Sequence, residues 1–339
     1  MITPPSPTAR DAARDRLAGL AIPAGALGRL GEVAVWWSSV RGETTPAPPS
    51  HVRAVVFAGD HGVASHGVSA YPAAITGAMV RAFVSGVAGV SVLARQHDVT
   101  LRVLDLGVDG DFPDLDPALG EFKVRRGTEP IHLADAMTAD ETRRAIDAGR
   151  RIAEQEIAAG ADLLIGGDMG IGNTTPAVAL IAAALGLPAD EVVGRGTGID
   201  DAGLALKTDV VATALKRAGD RVSDPVELLT ALGSPDLAAH AAFIAAAAEA
   251  GVPVLLDGVI SVAAATVAER LSPGAAAWMA AGHRSTEKAQ WRALEALGHS
   301  PLVDVDMRLG EGSGAVAAVP LLRSAALLLS QMALLDELM

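Results

Sequence analysis

The chain reads as an α/β protein built on a parallel sheet, and three observations carry that reading. Short apolar runs recur along it, each closing on glycine with an acid beside it. Helical patterns follow these runs, the alternation by which a parallel sheet shows itself in sequence. Hydrophobic residues make up 50% of the chain and aromatic residues only 3%, so the core must be Ala, Val, Leu and Ile in close packing. At 339 residues, the chain is long enough for about two domains of roughly 150 residues, or for one large domain with a small satellite.

Residues 1 to about 14 are rich in proline and charge and read as a loose polar leader. Helical patterns run on to Trp37, interrupted at Pro23 and Gly25, and Thr44 to Ser50 is a proline-rich connector. A buried strand is expected at Ala54 to Ala58, closing on Gly59-Asp60-His61-Gly62. Two helical stretches fall between Ala73 and Gln96, and a second strand between Thr100 and Leu106. Ala139 to Ala159 is a long helix with Thr138 as its N-cap. The third strand, Asp162 to Ile165, enters Gly166-Gly167-Asp168, with a helix from near Thr174. Val254 to Leu256 is a fourth strand, opened by Pro253 and closed by Asp257-Gly258, and Leu302 to Met307 is a candidate fifth. Ala315 to Leu338 is mostly helical, with Pro320 expected in the first turn of its main helix. Ligands of such sheets bind outside the carboxyl ends of the strands, so Asp60, Asp168, Asp257 and Glu311 are expected along one edge.

The formal charge of -13 argues against nucleic acid as a partner, because phosphate backbones require a basic face; a local cation still suffices for a small anion. With no cysteine, disulfides, thiolate metal sites and Cys nucleophiles are excluded, and a reducing, cytoplasmic setting fits. The N-terminus lacks the apolar core of a signal peptide, and no continuous run of about 20 strongly apolar residues suggests a membrane span.

Five segments carry candidate chemistry. Gly166 to Thr175 is a glycine-rich turn into a helix. Its backbone N–H groups and Thr hydroxyls suit a phosphate, with Gly170, Gly172, Asn173, Thr174 and Thr175 closest to the helix start; a plainly capped turn is the simpler reading. Met307 to Ala315 places Glu311 between glycines that let the backbone bend and expose the acid, while flanking apolar residues raise its pKa toward that of a base. The same segment matches G-x-G-x-x-A, but only helix follows it, so no dinucleotide unit forms. Asp60, His61 and His66 read as a loop network rather than a metal site, and no metal is expected. Gly282 to Lys288 is either a capped helix start or a ligand contact through Ser285, and Lys207 is either a solvated helix charge or a ligand cation.

Together these segments resemble the nicotinate-nucleotide–dimethylbenzimidazole phosphoribosyltransferase family of cobalamin nucleotide-loop assembly, from about Leu17 onward. Ala24 to Leu30, Ala58 to Val63, Gly170 to Thr175, Leu255 to Gly258 and Arg308 to Gly314 follow in the family's order. The resemblance implies a doubly wound parallel sheet (residues 51–314), a small helical domain formed by the chain-terminal segments (1–50 and about 315–339), and a homodimer. It implies transfer of 5-phosphoribose from nicotinate mononucleotide to 5,6-dimethylbenzimidazole, giving α-ribazole 5′-phosphate and nicotinate, with Glu311 taking the proton of the attacking base and no cofactor. The phosphate is expected against Gly170 to Thr175 with Lys207 and Ser285 nearby, and Asp257 and Gly258 at the substrate. Tyr71, Pro72, Met79, Met307 and Leu309 are expected around the benzimidazole. Where the family usually carries Glu, this chain has Asp168, one methylene shorter, so a direct contact made by the longer acid needs a water or a shifted loop. The other class to weigh is a nucleotide or base sensor that binds the same ligands without turnover.

Overall fold

The computed structural model describes residues 2–339. In chain order the elements are α1 (Pro7–Gly19), α2 (Arg29–Arg41), β1 (Val52–Gly59), α3 (Ile75–Val84), α4 (Gly89–Gln96), β2 (Val99–Gly107) and α5 (Ala139–Ala158). They continue with β3 (Leu163–Met169), α6 (Thr174–Leu185), α7 (Ala189–Val192), α8 (Asp201–Ala218), α9 (Pro225–Leu232) and α10 (Pro235–Glu249). β4 (Val254–Leu256), α11 (Val259–Leu271), β5 (Met279–Ala281), α12 (Lys288–Leu297) and α13 (Ser313–Gln331) complete the chain.

The five strands pair in parallel in the order β2-β1-β3-β4-β5. The order reverses between β1 and β3, which makes the sheet doubly wound and puts a crevice at the strands' carboxyl ends. Consecutive residues of β3 report the two faces. A side chain at Gly166 would overlap His240 of α10, and one at Gly167 would overlap the carbonyl of Glu311. α10 packs across β1 to β4 with α5 behind it, while α13 crosses β3 from the other face. The core is aliphatic, as the composition requires, with Phe57 against Phe243 as its one close phenylalanine pair (ring centroids 5.4 Å apart) among the described residues.

Three boundaries differ from the sequence reading. The polar leader is helical from Pro7: the Ser6 hydroxyl accepts from the Ala9 N–H at 3.1 Å, and Ala9 and Ala13 are buried against neighbouring helices. Charged residues around these small alanines hid a helix whose buried stripe has almost no side-chain bulk. α1 also closes the far end of the molecule, its Arg16 donating to the carbonyls of Leu329 (2.6 Å), Ser330 (3.1 Å) and Met332 (3.1 Å) at the end of α13.

The fifth strand is Met279–Ala281, not Leu302 to Met307. The latter segment only bridges at Val303 beside His283, and Asp304 to Asp306 turn out to water, so its alternation leads along the sheet edge without joining it. The last helix begins at Ser313, one turn and more before Pro320, which lies inside it. A tertiary cap, described below, supplies the early start that the local sequence lacks. By length and composition Ser313–Gln331 is apolar enough to cross a membrane, as is Ile75–Gln96 taken as one piece. The first packs against α2, α4 and β3, and the second is broken between Val84 and Gly89.

Candidate active site

A cavity of about 440 Å³ opens at the carboxyl ends of β3 and β4. Gly166 to Ile171, Arg308 to Glu311 and Asp257 to Ser261 line it.

Glu311 sits in left-handed backbone, φ +66°, between Gly310 at +78° and Gly312 at +93°. That conformation costs a residue with a Cβ on the order of 1–2 kcal/mol, so neighbours must hold it. Asp257, at the end of β4, does so. Its carboxylate accepts from the N–H groups of Gly312 (3.0 Å), Gly314 (2.8 Å) and Ala315 (3.0 Å), the orphan donors of the first turn of α13. On the opposite side Gly167 lets the Glu311 carbonyl press onto β3. The acid is buried rather than exposed, and its Oε2 accepts from the Val90 N–H at 3.0 Å in the first turn of α4. Burial lifts its pKa above the ordinary carboxylate value; the Val90 N–H draws part of that back, and the Asp257 charge adds to the rise.

At the other wall, α6 starts at Thr174 without a side-chain cap. Asn173 occupies the cap position but turns its amide to Asp168, donating to Oδ1 at 2.7 Å. The positive end of α6 is therefore left to whatever occupies the cavity. Lys207 of α8 is fully buried behind it and donates to the Thr174 hydroxyl at 2.7 Å. Burial lowers the Lys207 pKa to about 8, against the attraction of Glu287. Glu287 in turn accepts from the Gly196 N–H at 2.9 Å and ties the Gly196-Thr197 loop to the cavity rim.

Among the residues singled out from sequence, Tyr71, Met79, Asp168, Gly170, Asn173, Thr174, Asp257, Gly258, Ser285, Leu309 and Glu311 line this cavity. Pro72, Gly172, Thr175, Lys207 and Met307 lie outside its lining. Ser285 caps no helix: its N–H donates to Gln290 Oε1 at 2.6 Å, and α12 starts only at Lys288. Asp60 opens onto a neighbouring cavity, His61 packs beside Asp236 of α10, and His66 stacks edge-on against His132. Glu287, Arg308 and the Gly196-Thr197 loop were not foreseen as site residues. Glu287 and Arg308 lie in the Gly282–Lys288 and Met307–Ala315 segments already singled out, while for the loop the alternation Gly194-Arg195-Gly196-Thr197-Gly198 was the only local signal.

A doubly wound sheet with a buried carboxylate on one wall of a strand-end cavity and an uncapped helix start on the other fits a group-transfer enzyme for small phosphorylated substrates. The chain belongs to the phosphoribosyltransferase family, whose model matches residues 2–338. It is 52% identical over 332 residues to the nicotinate-nucleotide–dimethylbenzimidazole phosphoribosyltransferase of Mycobacterium avium (strain 104), covering 98% of this chain and 95% of that one. It is 51% identical over 336 residues to the protein of the same name from Mycobacterium tuberculosis, covering 99% and 92%. The crystal structure of CobT from Thermus thermophilus superposes with a TM-score of 0.92 at 45% identity and 98% coverage of both chains.

Proposed function

We propose that this protein transfers 5-phosphoribose from nicotinate mononucleotide to 5,6-dimethylbenzimidazole, forming α-ribazole 5′-phosphate and nicotinate for the lower ligand of cobalamin. The observation that carries the reading is the single cavity bounded by the buried, left-handed Glu311 and by the uncapped start of α6. The names of relatives at about half identity over nearly the whole chain support the same substrates.

In this reading the donor's phosphate takes the N–H groups around Gly170 to Thr174, with Lys207 supplying positive charge through and behind Thr174. The benzimidazole lies between Tyr71, Met79 and Leu309, facing Glu311. A ring nitrogen attacks C1′ from the face opposite the nicotinate, whose C1′–N bond breaks with the electron pair leaving on nicotinate. Inversion gives the α-ribotide. The attacking ring becomes cationic, its second N–H turns acidic, and Glu311 accepts that proton. Holding both reactants in line supplies much of the rate. The small helical unit, the homodimer and the cytoplasmic setting implied by the resemblance belong to the same proposal.

The test is incubation of the protein with nicotinate mononucleotide and a panel of benzimidazoles and purines, with ribotides identified by mass. A ribotide of dimethylbenzimidazole with stoichiometric nicotinate supports the reading. Binding of both ligands without released nicotinate replaces it with a sensor.

A further inference from the structure

On the face of β3 opposite the Glu311 turn, Asp168 of β3 and Asp236 of α10 are buried side by side, with His61 from the end of β1 next to them. Space for them is made by backbone: a side chain at Gly59 would overlap Asp236, and one at Gly170 would crowd His61. Asp168 Oδ1 takes the Asn173 amide, while Oδ2 and both Asp236 oxygens have no hydrogen-bond donor among the described residues. Neither carboxylate forms an ion pair with Lys or Arg among those residues; His61 Nε2, 3.5 Å from Asp236, is the nearest cationic candidate. The other titratable groups around the pair are His240 of α10, held neutral by burial with a pKa of about 3, and Asp60, whose Oδ2 accepts from the Asp109 N–H at 2.8 Å. Across the strand lies Glu311.

Two buried carboxyls that face one another without donors hold a proton between them. The burial of Asp168 and the facing charge of Asp236 both push the Asp168 proton affinity well above the ordinary carboxylate range. We propose that Asp236 is a positioning residue for the donor-phosphate turn: it shares a proton with Asp168, and the resulting clamp keeps the Asn173 side chain from capping the start of α6. Resting on the phosphoribosyl-transfer reading, this gives Asp168 a role as an anchor that carries a proton, not as a base. It also accounts for the shorter acid, since Asp168 reaches Asn173 and Asp236 and needs no reach into the cavity.

The test compares Asp236→Ala, Asp236→Asn and Asp168→Asn by steady-state kinetics, by calorimetric titration with nicotinate mononucleotide and by infrared difference spectroscopy. Asp236→Ala raises KM and Kd for nicotinate mononucleotide about 10-fold or more, the loss of one buried hydrogen bond, with kcat changed far less. Asp236→Asn, whose amide donates where the shared proton did, restores most of that affinity. The parent shows a protonated-carboxyl band at neutral pH that both Asn variants lose, and Asp168→Asn lowers kcat less than Glu311→Gln does. Unchanged affinity in folded Asp236→Ala, no rescue by Asp236→Asn, or no such band in the parent overturns the clamp. If Asp236→Ala does not fold, the Asn variants and the parent's spectrum decide it. Calorimetry reads the clamp without turnover, so an inactive parent would count against the reaction alone.

Discussion

Glu311 combines two costs that a structural residue would avoid, left-handed backbone and a buried carboxylate. Removing the carboxylate therefore separates stability from activity. Glu311→Gln raises the unfolding midpoint at neutral pH, because it removes a buried charge, and lowers kcat about 10²–10⁴-fold, the usual worth of a positioned base, measured as nicotinate release. Glu311→Gly is equally inactive and, although it relieves the left-handed backbone, gains less in denaturant unfolding than Glu311→Gln because the buried Val90 N–H loses its acceptor. The raised pKa sets the pH dependence. Because the folded state binds this proton more tightly than the unfolded chain, Glu311 costs stability at neutral pH. That cost fades as pH falls through the raised folded pKa. Activity moves the other way, with the acid limb of kcat/KM lying above the ordinary carboxylate range. At this scale the sequence was informative: an acid between glycines marked Glu311, which lines the cavity. Asp236 was silent, because a lone acid in a helical run has no local pattern that tells burial from solvation.

Among the elements, α13 shows how one helix start can depend on a strand elsewhere in the chain. Its first-turn donors are met by Asp257, more than fifty residues earlier, and the same contact fixes the Glu311 backbone. Asp257→Ala leaves three buried N–H groups without an acceptor. It is expected to lower unfolding free energy by about 2–4 kcal/mol, read from the urea midpoint, and to cut turnover because the Glu311 turn loses its brace. The missing local cap is the reason Pro320 looked like the start of this helix. α1 escaped notice for a related reason, since its buried stripe is alanine. The strands β1, β2, β3 and β4 were legible because Val, Leu and Ile runs and their closing glycines mark them, whereas β5, although Gly282 closes it, is Met-Ala-Ala after an alanine-rich stretch and has no β-branched residue to set it apart.

Across the whole molecule, the proposed phosphate site links ligand binding, charge and stability through Lys207. Its ammonium is buried, with a pKa of about 8 against 10.5 in an open chain. The folded protein binds fewer protons than the unfolded chain between those values, so stability without ligand rises with pH across that window and is flat below it. A bound phosphate reverses the preference. Nicotinate mononucleotide at about 100 times its Kd stabilises the protein by roughly 2.7 kcal/mol at neutral pH. Above a pH of about 8 binding must take up a proton, and its Kd rises toward tenfold per unit. Thermal unfolding with and without the nucleotide across this range checks the linkage. Lys207→Met should weaken binding and abolish the rise.

By itself the sequence determined the class of fold, the aliphatic core, the two glycine-rich bends and the acid at the second, because each is written in neighbouring residues. Only the tertiary structure decided that Glu311 is buried and braced by Asp257, that Lys207 stands behind Thr174, and that Asp168 turns toward Asp236. Those facts are contacts between residues far apart in the chain. Burial and pairing, unlike turn propensity, are properties of what the folded chain brings together.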